Sequence, residues 1–157
     1  LRGIFLCGGA VSGAVAALEA YRSRVPYLGF LGVRFDLHGS SLTGVLPHRD
    51  TAIGNPVPPR LHGGVTAAFL EITSVAELGL ALLWAGYDGA GMPPMPKTID
   101  LTVDYLRPGL PQEAYAIARV DRSGRRYASV HVEAWQEDRS RLFAQATGHF
   151  LMPSAHG

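Results

Sequence analysis

Leu61-His62-Gly63-Gly64-Val65-Thr66-Ala67-Ala68-Phe69-Leu70-Glu71 opens the longest apolar run in the chain, which continues to Trp84. At about 100° per residue the run reads as one helix over 64–84, with Thr66, Thr73 and Glu77 on one side. Glu71 falls elsewhere, in a stripe with Ala67, Val75, Leu78 and Leu82. A carboxylate on an apolar helix face costs on the order of several kcal/mol unless it is paired or used. The plain alternative is a carboxylate satisfied by a structural neighbour.

The two glycines have a chemical use at this place. The first N–H groups of a helix lack intrahelical partners and carry partial positive charge. A glycine has no side chain to block approach to its own N–H. Gly63 and Gly64 therefore offer donors that can polarise a carbonyl oxygen or hold an oxyanion. Glu71 lies two turns on, roughly 10 Å by the helix rise, too far for one carbonyl carbon to touch both groups on a single chain. An antiparallel second copy would set one subunit's glycine N–H against the other's Glu71, so the spacing suits a site shared across a dimer. For His-Gly-Gly alone, a tight turn before a helix is the alternative.

Downstream the pattern changes from helical to alternating. Thr98 to Leu106 places Ile99, Leu101, Val103 and Tyr105 against Thr98, Asp100, Thr102 and Asp104, which predicts a strand. A Pro-rich turn at 107–111 leads to strands at about 113–121, 127–136 and 141–152, the first two joined at Asp121-Arg122-Ser123-Gly124-Arg125. Such a meander behind one buried helix predicts an α+β domain, an antiparallel sheet wrapped around a long central helix. Upstream, 11–24 reads as an extra amphipathic helix on Val11, Ala14, Val15, Leu18 and Tyr21. The glycine-broken stretch before it, with a single Arg2, only loosely mimics a signal sequence. Phe30 to Leu37 and Leu42 to Pro47 read as strands around the turn at His38-Gly39-Ser40-Ser41. Residues 49–61 form a proline-stiffened loop, and 85–97 a long aperiodic one that can serve as a lid or pocket wall.

At 157 residues, 47% hydrophobic and 17% charged, the chain suits one globular domain with its own core. A net charge of +1 with no Lys/Arg block argues against a nucleic-acid partner. No run reaches the ~18–20 uninterrupted apolar residues of a membrane span, so no membrane partner is expected. Cys7 is the sole cysteine; it allows neither an intrachain disulfide nor a thiolate zinc site and fits a reducing, cytoplasmic setting. The six histidines show no metal spacing, so no metal and no separate cofactor is expected. The sparse charge predicts surface covered by further subunits, a homodimer and from it a homotetramer.

The His62–Glu71 segment, followed in order by Thr98-Ile99-Asp100-Leu101-Thr102-Val103-Asp104-Tyr105-Leu106-Arg107-Pro108, resembles the hotdog-fold thioesterases of the PaaI-like acyl-CoA group over about residues 25–152. The family's HGG motif carries its acidic residue nine positions after the histidine, as here. The resemblance implies an acyl-CoA thioesterase that releases a carboxylic acid and free coenzyme A. It implies that Gly63 polarises the thioester carbonyl through its backbone N–H and that His62 orients the turn. Glu71 would activate water, or attack the carbonyl itself, across the dimer, and Thr98 would position the water. Members often have Asn six residues before the histidine; Pro56 stands there, with Asn55 one step earlier, so a catalytic part for Asn55 competes with ordinary turn chemistry.

That chemistry is coherent. A thioester carbonyl needs an oxyanion donor, a placed water or nucleophile and a base, while thiolate leaves without a strong general acid. No G-x-S-x-G elbow is present to support a serine hydrolase, and Cys7 lies in no nucleophile motif. Arg60, Lys97, Arg107, Arg125 and Arg126 are candidates for the coenzyme A phosphates, with Gly64 beside the acyl group. Phe69, Leu70, Ile72 and the 85–96 loop are candidates for the acyl pocket. A non-catalytic acyl-CoA-binding module, which has no use for Glu71, and a hotdog dehydratase or hydratase are the alternatives.

Overall fold

The long apolar run folds as a single helix because sheet surrounds most of it. The computed structural model describes residues 8–87 and 93–153. Two helices, α1 (Gly8–Arg24) and α2 (Pro26–Leu31), precede strands β1 (Arg34–His38) and β2 (Ser41–Leu46). A 3-10 turn at Asp50–Ala52 leads into a small hairpin of β3 (Ile53–Pro56) and β4 (Pro59–Leu61), then the central helix α3 (Gly63–Trp84). Strands β5 (Lys97–Tyr105), β6 (Ala114–Ser123), β7 (Tyr127–Trp135) and β8 (Ala144–Leu151) complete the chain. Six strands pair antiparallel in the order β1-β2-β6-β7-β8-β5. This is the hotdog arrangement, with α1 as the extra N-terminal helix.

Small residues on the concave face let α3 lie close. Ala114, Ala116, Ala118, Ala128, Ala134, Ala144 and Ala146 are all buried, and a side chain at Gly44 of β2 would collide with Thr73 and Phe69 of the helix. Phe69, Leu70, Leu78 and Leu80 are fully or almost fully buried around the helix. By length and composition α3 is long and apolar enough to cross a membrane, though Glu71, Glu77 and Gly79 interrupt it; most of that stretch is buried inside the protein. Ala14, Ala17, Leu18 and Tyr21 of α1 close another side of the core. Val15, expected on that inner face, is instead exposed, and Val11's side chain, like Cys7 and residues 88–92 of the long loop, lies outside the described residues.

Two expectations fail locally. The strand read over Phe30–Leu37 begins only at Arg34, because Pro26 starts a short helix at its first turn and Gly32, at φ 74°, ends it. These are the positions where proline and left-handed glycine favour a helix start and stop. The loop read over 49–61 contains the β3–β4 hairpin.

Candidate active site

The turn that opens α3 is built by its own first residues. His62 is the N-cap, and its Nδ1 accepts from the Gly64 N–H at 2.9 Å; the ring proton is therefore assigned to Nε2. The His62 carbonyl accepts the Thr66 N–H at 3.1 Å and the Thr66 hydroxyl at 3.4 Å. The Gly63 N–H has no partner among the described residues. The two glycines differ in what they need. A Cβ at Gly64 would press on the His62 ring at 3.0–3.1 Å, whereas one at Gly63 would meet only the Tyr105 ring and hydroxyl at ordinary contact, 3.4–3.5 Å, with no left-handed backbone. Packing inside the chain thus explains Gly64 and leaves Gly63 unexplained. Upstream, Gly54 of β3 lies flush against His62, and the His62 N–H donates to the Ala52 carbonyl at 2.8 Å.

Glu71 is half-buried, and its Oε1 accepts from the Thr98 hydroxyl at 2.5 Å. Reading β5 as strictly alternating puts Thr98 on the opposite face from Tyr105. The structure corrects this with a bulge at Ile99. Thr98 registers with Phe150 and Leu101 with Gly148, both on the helix side, while Asp100 registers with His149 on the outer face. One inserted residue therefore turns Thr98 and Tyr105, seven positions apart, toward the same helix. Ile99, the extra residue, is 55% exposed. Glu71's charge also reaches α1. Burial, and after it the charge of Glu71, pushes the Tyr21 hydroxyl well above its ordinary range.

At the other end of β5, the Tyr105 hydroxyl donates to the Gly63 carbonyl at 2.8 Å. Sequence reasoning missed this residue as a site member; its inward parity on a strand packed against the helix start was the available signal. Among the described residues, strand β5 pairs only with β8 and leaves a nine-residue backbone edge open, with Tyr105 56% exposed.

The candidate cations fall into two groups. Arg125 and Arg126 of the β6–β7 turn line a cavity of about 880 Å³ together with Ile99, Asp100, Arg122 and His149. Lys97, at the start of β5, registers with Leu151, which registers with Tyr127. Arg60 and Arg107 line a second recess of about 320 Å³ with Arg141, Pro108 and Phe143, behind the His62 turn. Arg122 and Arg141 were not anticipated; register and folding alone bring them there. Asn55 spends its side-chain oxygen on its own turn, accepting the Val57 N–H at 3.2 Å. Phe69, Leu70 and Ile72 are buried in the protomer's own core. Among the described residues no three His, Cys, Asp or Glu side chains cluster as metal ligands.

Residues 54–151 match the family model described as acyl-CoA thioesterase N-terminal domain. No curated protein matches the sequence. Among solved structures, a Shewanella oneidensis protein related to the thioesterase superfamily superposes with TM-score 0.80 at 24% identity, covering 94% of this chain and 100% of its own. The Escherichia coli PaaI protein of the phenylacetic acid degradation operon gives 0.72 at 14%, covering 91% and 95%. A phenylacetic acid degradation-related protein from Ralstonia eutropha gives 0.64 at 27%, covering 82% and 91%. The matched model spans the turn, the helix with Glu71 and the whole β5–β8 sheet, and on that ground the chain belongs to the acyl-CoA thioesterase N-terminal domain family and carries the hotdog fold.

Proposed function

We propose that this protein hydrolyses acyl-CoA thioesters as a symmetric homodimer, each site taking Glu71 and Thr98 from one protomer and the Gly63 N–H from the other. The observation that carries the reading is that one open edge strand touches both halves of the chemistry, Thr98 binding Glu71 near its start and Tyr105 binding Gly63 at its end. Two copies of β5 pairing antiparallel about a two-fold axis near Leu101 would bring the Thr98 end of one strand beside the Tyr105 end of the other, with the strands about 4.8 Å apart. Each Glu71 then faces the partner's Gly63. The same pairing gives the open backbone edge its hydrogen bonds and covers Ile99 and Tyr105.

In this arrangement the thioester carbonyl oxygen accepts from the partner's Gly63 N–H, where the helix N-terminus favours developing negative charge. Glu71 takes a proton from a water held between its carboxylate and the lone pairs of Thr98, and the water oxygen bonds to the carbonyl carbon. The tetrahedral oxyanion collapses, the C–S bond breaks and the thiolate leaves with the electron pair. The proton on Glu71 passes to the thiolate or solvent. Arg125, Arg126 and Lys97 on one side, with the partner's Arg60 and the partner's Arg107 on the other, would flank the crevice and meet the coenzyme A phosphates.

Complementation tests the reading. Gly63→Pro deletes the unpartnered N–H at the first helical position, where proline is well tolerated. Glu71→Gln deletes the base. Each variant alone should release little free thiol from a panel of acyl-CoAs. Subunits of the two mixed by unfolding and refolding should recover about a quarter of the parent rate, since half the dimers carry one intact site of two. Parent protein without thiol release sinks the activity, and mixtures as inactive as their components sink the shared site.

A further inference from the structure

The amide that the proposed reaction depends on belongs to the His62–Gly63 peptide, which is joined through the Gly63 Cα, free of a side chain, to the Gly63–Gly64 peptide that follows. Four polar groups flank the Gly63 Cα. The His62 carbonyl is held by Thr66, the Gly64 N–H by His62 Nδ1, and the Gly63 carbonyl by the Tyr105 hydroxyl; the Gly63 N–H is left open. A helix carbonyl ordinarily has one partner, the N–H four residues on; that of Gly63 has a second. The bonds from Thr66 and His62 are internal to the turn and move with it. Of the bonds to these four groups, that from Tyr105 comes from another element, β5, which also holds Glu71 through Thr98; one residue earlier the His62 N–H ties the turn to Ala52.

We infer that Tyr105 is a positioning residue for the oxyanion donor: its hydroxyl pins the Gly63–Gly64 peptide and, through the Gly63 Cα, restrains the adjoining His62–Gly63 peptide that carries the open N–H. The inference deepens the thioesterase reading and rests on it. Tyr105 touches neither the thioester nor water in this role; it acts through Gly63. It makes β5 the common ruler for both halves of the site, with the base indexed at Thr98 and the oxyanion donor at Tyr105. The ring, lying at 3.4–3.5 Å from where a Gly63 Cβ would stand, supplies contact that Tyr105→Phe retains, so that variant isolates the hydroxyl.

The test compares parent, Tyr105→Phe and Glu71→Gln. Tyr105→Phe should lower kcat about tenfold with KM within about twofold, the mark of an interaction made in the transition state. Its melting temperature should stay within about 3 °C of the parent, as expected for loss of a half-exposed hydrogen bond. A ketone analogue of acyl-CoA, with methylene replacing sulfur and ¹³C at the carbonyl, gives a second readout. Its carbonyl stretch, shifted to lower frequency on binding the parent, should move back toward the aqueous value on Tyr105→Phe. Unchanged kcat, or an unchanged carbonyl band, overturns the inference while parent activity and loss of rate in Glu71→Gln leave the thioesterase reading standing. A parent that hydrolyses no thioester overturns both.

Discussion

Glu71 and Glu77 lie less than two turns apart on α3, and the fold treats them oppositely. Glu71 holds the Thr98 hydroxyl and keeps some contact with solvent. Glu77, read from helical spacing as lying on the more polar side with Thr66 and Thr73, has no hydrogen bond or cation among the described residues to offset its burial, which pushes its carboxyl up to about 7. Further along that same side, the Trp84 Nε1 is buried without an acceptor. The costly carboxylate is therefore Glu77 and the equipped one is Glu71. A carboxylate's place on a helical wheel says less than what the rest of the fold puts over it.

If the contrast is one of use against burial, chemistry separates the pair most sharply. Glu71→Gln should cut kcat on acyl-CoA on the order of a hundredfold or more, the scale of a lost general base. Glu77→Gln should leave kcat within about twofold. Thiol release followed for both variants checks this, and equal losses would break the comparison.

Stability separates them in the other direction. Glu77's carboxyl titrates higher in the folded state, about 7, than its ordinary 4.5. A raised acid is neutral and harmless below the lower value; its penalty grows as pH rises between the two and is complete above about pH 7. The full shift would be about 3 kcal/mol by the cost of one pKa unit; with partial exposure, about 2 kcal/mol is expected. Glu77→Gln should match the parent near pH 4.5 and exceed it by that amount at pH 8 in urea unfolding. Parallel curves would mean that Glu77 is relieved, for example by a neighbour gained on assembly.

The same distinction marks what the sequence could reveal. Helical period located α3, alternation located β5 through β8, and the interval from His62 to Glu71 located the carboxylate and the glycine turn, because each is set within a few turns of local chain. Pro26 and Gly32 were legible signals for α2, outweighed by the alternation of Val33, Phe35 and Leu37. The bulge at Ile99 had no local signal. The letters alternate perfectly from Thr98 through Tyr105, and only pairing with β8 fixes where a residue is skipped. The grouping of Arg122 and Arg141 with the expected cations likewise comes from segments distant in sequence.

That bulge supplies the finest test of why Glu71 differs from Glu77, since it delivers Thr98 to one and nothing to the other. Thr98→Val keeps the β-branched shape that suits a strand and deletes the hydroxyl. A single hydrogen bond to a carboxylate is worth about 1 kcal/mol net, so the expected loss is about five- to tenfold in kcat. KM should hold if the hydroxyl serves the attacking water rather than the bound acyl group. Thr98→Ser restores the hydroxyl and should recover most of the rate, provided the bulge still aims it. Recovery with serine but not valine assigns the effect to the hydroxyl. Equal rates in all three would reduce Thr98 to a structural neighbour of Glu71 and remove its hydroxyl from the contrast with Glu77, which is half-buried as Glu71 is.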